Sequence, residues 1–147
     1  MYEIIRATSE HIPQIAPLLD EYRIFYGQVS DIAAARHFLE QRLLNGESVI
    51  FLAYHKEKPV GFTQLYTSYS SVSLQPVYIL NDLFVQSKVR GHGIGAALLN
   101  RTKECCRASK YKGLLLETAI DNPAQRLYEK LGWAKDTACF HYFWSCD

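Results

Sequence analysis

The chain predicts an α/β fold of the α+β layered kind, with helices packed over a sheet. Three observations carry that prediction. Apolar residues alternate with a period of two in some stretches and recur at helical spacing in others, in the order βααβββαβαβ. With 147 residues the chain is long enough to bury a core and short enough for one domain over 1–147. Apolar residues make up 48% and charged residues 21%, and no repeat, low-complexity tract or linker divides them.

"YEIIRA" reads as a first strand. Thr8 or Ser9 then caps a helix that carries Ile12, Ile15, Leu18, Leu19 and Tyr22 on one face. A second helix covers "SDIAAARHFLEQRLLNG", opened by Ser30 or Asp31 and stopped at Asn45-Gly46. "SVIFLAYHKEKPVGFTQLYTSY" is a β-hairpin that turns near Glu57-Lys58, and "PVYILNDLFV" is a fourth strand. "GIGAALLNRTKECCRASK" is a helix whose basic tail (Arg101, Lys103, Arg107, Lys110) suits the negative end of the helix dipole. "GLLLET" is a short apolar strand of the kind buried inside a sheet. In "NPAQRLYEKLG" Asn122 is the N-cap, Pro123 takes the first helical position, Gln125 completes a capping box and Gly132 ends the helix. "ACFHYFWS" supplies the last strand.

A net charge of +1 draws the chain to neither nucleic acid nor membrane, and no apolar run is long enough to span a bilayer. The N-terminus lacks the basic-then-apolar pattern of a signal peptide, so the cytoplasm is the expected compartment. Cys105, Cys106, Cys139 and Cys146 show no CxxC spacing and suit reduced thiols. The five histidines are scattered, and no metal is expected.

Gly91, Gly93 and Gly95 lie where the fourth strand hands over to a helix. The nucleotide-triphosphate loop is excluded, because Ala96-Ala97 stand where its lysine and hydroxyl should be. A dinucleotide fingerprint is closer, with Gly91-x-Gly93-x-x-Ala96 and Glu117 ending the next strand. Against it, five residues (Gln86 to Arg90) separate the strand from the first glycine, and only thirty residues follow Glu117. A connection that binds nothing would normally need two residues. The reading that remains is Arg90-x-x-Gly93-x-Gly95, in which backbone N–H groups from Gly91 to Ala96 converge on a pyrophosphate at a helix N-terminus. Lys88, Arg90 and His92 stand beside it as cationic partners.

"LFVQSKVRGHGIGAALL" resembles motif A of the GNAT superfamily of acetyl-coenzyme A-dependent N-acetyltransferases, and "ETAIDNPAQRLYEKLGW" resembles its motif B. The resemblance runs over nearly the whole chain. It implies a mixed, mostly antiparallel sheet of about seven strands with helices on both faces, and acetyl-coenzyme A as co-substrate. It implies that the fourth and fifth strands splay, that pantetheine pairs with backbone near Leu83, Phe84 and Val85, and that the pyrophosphate lies on Arg90, Gly91, His92, Gly93, Ile94, Gly95 and Ala96. Asn122 would reach the pantetheine, and Tyr128 would give its proton to the departing thiolate, for which a phenol is well matched.

Relatives carry adjacent acidic residues in the fourth strand, whereas this chain reads Asn81-Asp82. An amide cannot act as base. Asp82, on the strand face opposite Asn81 by alternation, is a candidate base or a buried structural carboxylate; Glu117 or a water relay are the alternatives. In this fold the acceptor lies over the first two helices, here "DEYRIFYGQVSD", where Phe25 and Tyr26 sit among Asp20, Glu21 and Asp31. Aromatic faces and carboxylates suit a cationic amine; the same aromatics would serve equally as core. With Asn81 these form the substrate set. "ILNDLFV" and "AQRLYEKLGW" resemble a branch that includes yeast histone and polyamine acetyltransferases. The expected partners are a small-molecule or protein amine and a second copy of the chain, paired through the aromatic edge "CFHYFWS". The alternatives in other classes are a non-catalytic acyl-coenzyme A-binding regulatory module and a dinucleotide-binding protein.

Overall fold

The computed structural model describes residues 2–147, in two units, one ending at Glu117 and the other running from Thr118 to Asp147. In the first, β1 (Tyr2–Arg6), β2 (Ser48–His55), β3 (Lys58–Ser70), β4 (Gln75–Val85) and β5 (Leu114–Leu115) form one sheet in chain order. The first four pair antiparallel, and β5 runs parallel to β4. Lys56 and Glu57 join β2 to β3 with positive φ at both, as a two-residue hairpin turn requires.

Alternation along β2 decides which helices cover which face. Ile50 and Leu52 point into a core with Ile12, Ile15, Leu19, Ala35 and Leu39 from α1 (Ile12–Phe25) and α2 (Ile32–Leu44). Phe51 points the other way, where Arg101 of α3 (Ile94–Ala108) lies over its ring at 4.8 Å. Among the described residues, no helix is long and apolar enough to cross a membrane. All four cysteines are free.

Asp20 is buried, and the reason lies in the α1–α2 connection. Its Oδ2 accepts from Ser30 Oγ at 2.6 Å and its Oδ1 from the Asp31 N–H at 2.7 Å. Asp31 in turn caps α2 by accepting from Ala34 N–H at 3.0 Å. These two acids therefore fix the chain path; Asp20 is buried away from any amine-binding surface, which corrects the expectation for it, while Asp31 stays exposed. The Ser30 hydroxyl first, and the Asp31 amide second, hold the Asp20 carboxyl below its usual range against the cost of burial. A lowered pKa contributes stability that is present above the unfolded value of about 4 and lost as pH falls through the folded one. Asp20→Asn can accept from only one of its two donors, so it is expected to cost about 1–3 kcal/mol at neutral pH. It should also flatten the acid loss of stability. Thermal melts from neutral to acidic pH test this, and identical slopes in both proteins would refute it.

The second unit contains α4 (Gln125–Lys130). Asn122 Oδ1 accepts from Ala124 N–H at 2.9 Å, a capping bond, but the regular helix begins two residues later than expected. The first turn is tightened into i to i+3 bonds, Gln125 N–H to Asn122 O and Arg126 N–H to Pro123 O. Gln125 does not close a capping box: its side-chain NH₂ donates to the carbonyls of Asn122, Ala119 and Ile120. At the other end Gly132 has φ of 100°, and Trp133 N–H returns to Tyr128 O while Gly132 N–H returns to Glu129 O. That is the paired-bond helix stop expected of this glycine.

Two strand assignments are corrected. The described residues form five strands, not about seven. "GLLLET" contributes only Leu114 and Leu115, at the edge of the sheet, with Leu115 59% exposed. "ACFHYFWS" forms no strand, and Phe140, Tyr142, Phe143 and Trp144 are exposed. A β-rich composition makes a strand only where a neighbouring ladder receives it. With no strand there, that segment offers no sheet edge for a second copy of the chain to pair with.

Candidate active site

The strand-to-helix connection is built as its glycines demand. Gly91 and Gly93 have φ of 82° and 81°, values that a side chain resists. Gly93 caps α3, whose first internal bond is Ala97 N–H to Gly93 O at 3.0 Å. The amides of Ile94, Gly95 and Ala96 thus have no acceptor within the helix. Arg90 Nε donates to Val85 O at 2.8 Å, folding its guanidinium back over the end of β4. His92 Nδ1 lies 3.1 Å from the carbonyls of both Val89 and Arg90. Carbonyls only accept, so Nδ1 carries the proton.

Beside this turn, β4 loses its neighbour. Its last pair with β5 is Ile79 with Leu115, so the outer edge of Leu80 to Val85 has no strand partner among the described residues. A cleft of about 370 Å³ opens at the same end, lined by Glu21, Ile24 and Phe25 from α1 and by Phe84, Gln86, Lys88 and Arg90. Gln86 Nε2 donates to Glu21 at 2.9 Å across it. Of the three acids expected near the acceptor, Glu21 alone lines this cleft. Phe25 and Tyr26 are 62% and 50% exposed, with rings 5.2 Å apart, so neither is a core residue.

Asn81 and Asp82 do not sit on opposite faces as alternation predicts. Gln64 pairs with Asp82 and Leu65 with Leu80, which leaves Asn81 as the extra residue of a bulge. Asn81 Nδ2 donates to Asp82 Oδ1 at 3.1 Å, and Gln64 Nε2 donates to Asp82 Oδ2. Burial is the largest influence on Asp82 and pushes its pKa up, while the hydrogen bonds from Gln64, Asn81 and Tyr22 pull it back. Gln64, fully buried, is the partner of Asp82 that the sequence reading missed. Its signal was a polar residue two positions from Phe62, on the inward period of β3.

Glu117 is exposed and lies beyond the end of β5. Tyr128, in the second unit, is 9% exposed and meets Trp133 edge-on with centroids 6.1 Å apart. Among the described residues, no group of three or more His, Cys, Asp and Glu side chains is placed to hold a metal ion.

The model of the Acetyltransferase (GNAT) family matches residues 15–133. The chain is 44% identical to the uncharacterised N-acetyltransferase YhfO of Bacillus subtilis, over 95% of this chain and 94% of that protein. It is 30% identical to a "probable acetyltransferase" of Haemophilus influenzae, over 86% of this chain and 96% of the relative. It also superposes on the crystal structure of "a probable acetyltransferase" with a TM-score of 0.92 and 39% identity, covering 99% of this chain and 98% of the other.

Proposed function

The chain belongs to the acetyltransferase (GNAT) family and is an acyltransferase of that type; from this premise we infer that it moves acetyl from acetyl-coenzyme A directly to a primary amine of a small molecule or protein. The observation that carries the reading is the glycine turn beside the open edge of β4. Coenzyme A has the parts such a place accepts. Its pyrophosphate suits the unpaired amides at the start of α3 and the cations Lys88 and Arg90. Its pantetheine amides suit the edge of Leu83 to Val85 that β5 does not reach, with Phe84 and Phe25 supplying apolar walls. Exposed Phe25 and Tyr26 are then available to the acceptor.

The chemistry balances without a metal. The amine nitrogen bonds to the acetyl carbonyl carbon, the carbon–sulfur bond breaks, and the thiolate takes a proton from the phenol of Tyr128. The proton shed by the amine leaves through water or Glu117. Asn122 keeps the pantetheine contact implied by its place in the motif.

Calorimetry with coenzyme A and NAD tests the donor, and thiol release across a panel of amines tests the reaction. Coenzyme A is expected to bind and NAD not to bind, because the turn stands beside a strand edge suited to pantetheine. Comparable affinity for NAD with no binding of coenzyme A would overturn the reading.

A further inference from the structure

The pairing of a buried carboxylate with an exposed amide on β4 has a consequence for the acceptor. Asp82 is 5% exposed, and both its oxygens are engaged, Oδ1 by Asn81 Nδ2 and Oδ2 by Gln64 Nε2. The backbone is held as well. Thr63 Oγ1 donates to Asp82 O at 2.8 Å, and the Tyr22 hydroxyl reaches Asn81 O at 3.5 Å. A carboxylate has only acceptors, so an amide beside it must turn its NH₂ inward. The bulge makes this possible, because regular alternation would have carried Asn81 away from Asp82. With its NH₂ committed, Asn81 turns its Oδ1 away from the carboxylate. Asn81 is exposed, and it lies two positions past the last pair between β4 and β5. An amide oxygen of fixed aim therefore stands where the strand edge opens.

We propose that Asn81 Oδ1 receives an N–H of the attacking amine, and that Asp82 is a positioning residue that locks the amide and does not take the amine proton. The proposal rests on the acetyl-transfer reading of this site. A primary amine in its reactive form has N–H groups and one lone pair, and only the lone pair attacks. Holding one N–H limits the directions in which the lone pair points, which is how an oriented acceptor assists the step. A base must come within hydrogen-bond reach of the proton it removes. Asp82, buried and doubly engaged, does not meet that condition.

Three proteins are compared on an amine that the thiol-release panel finds acetylated: wild type, Asn81→Ala and Asp82→Asn. Asn81→Ala is expected to raise KM for the amine about tenfold, the worth of one good hydrogen bond, with KM for acetyl-coenzyme A unchanged. Asp82→Asn keeps the size, removes the charge and frees the Asn81 amide to turn over, so it should raise the amine KM several-fold. A merely structural Asp82 would lower the melting temperature and leave the amine KM unmoved. An unchanged amine KM in either variant overturns the proposal. So does a hundredfold loss of kcat in Asp82→Asn with an unchanged amine KM, which would make Asp82 the base.

A second measurement needs no substrate. The side-chain NH₂ signals of Asn81 in nitrogen–proton NMR are identified by their disappearance in Asn81→Ala. They should exchange slowly with solvent in wild type and faster in Asp82→Asn; equal rates would refute the lock. A wild type that acetylates no amine in the panel would instead count against acetyl transfer, and the exchange rates would still decide the lock.

Discussion

Tyr128→Phe is expected to lower kcat at least a hundredfold while leaving the affinity for acetyl-coenzyme A nearly unchanged. The substitution keeps the ring, and with it the edge-on packing against Trp133. It also keeps the backbone, because the Tyr128 carbonyl still accepts the Trp133 N–H in the turn that ends α4. What it removes is a proton donor. A phenol with pKa about 10 is well matched to a departing thiolate of about 8.5, and general acids contribute about a hundred- to ten-thousandfold in rate. Ground-state binding changes little, since a thioester sulfur is a weak acceptor. A structural tyrosine gives the reverse pattern. The variant would then lose stability through the unpaired partner of its hydroxyl, while its folded molecules turned over at the wild-type rate. Steady-state kinetics and a thermal melt on both proteins separate these outcomes, and an unchanged kcat removes Tyr128 from the mechanism.

The second large effect is on binding. Gly95→Asp and Gly93→Asp should each abolish measurable binding of coenzyme A in a protein that still folds. Gly95 lies in the first turn of α3, where a carboxylate favours the helix by about 0.3–1 kcal/mol. The charge that helps the helix is the charge that repels a pyrophosphate from the same amides. Gly93 carries a conformational cost as well, because its φ of 81° is left-handed. That cost is about 1–2 kcal/mol for an ordinary residue, and Asp is among those that tolerate the region best. Space is not limiting: a Cβ at Gly93 meets nothing within 4 Å. Gly93→Ala separates strain from charge and should bind coenzyme A more weakly than wild type but measurably. Calorimetry on folded variants decides the matter. Wild-type affinity in Gly95→Asp would show the turn to be a purely structural connection.

What the sequence alone determined about this protein lies within a few residues of itself. The cap of α2 at Ser30 or Asp31, which the structure gives to Asp31, and the end of α4 at Gly132 were legible because each partner is at most five residues away. The proposed anion site at the glycine turn is likewise a local reading, since it needs only consecutive amides and a helix start. Tertiary structure decided the rest. The bulge that brings Asn81 to Asp82 exists only through the register with β3, and the Gln64–Asp82 bond joins residues eighteen positions apart. Asp20 reads in sequence as a surface acid near aromatics and becomes a buried strut because the loop returns Ser30 and Asp31 to it. Strand formation is the extreme case. "GLLLET" and "ACFHYFWS" have strand composition throughout, yet one yields two paired residues and the other none. A strand's hydrogen bonds belong to its neighbour, so whether it forms is decided by an edge elsewhere in the chain.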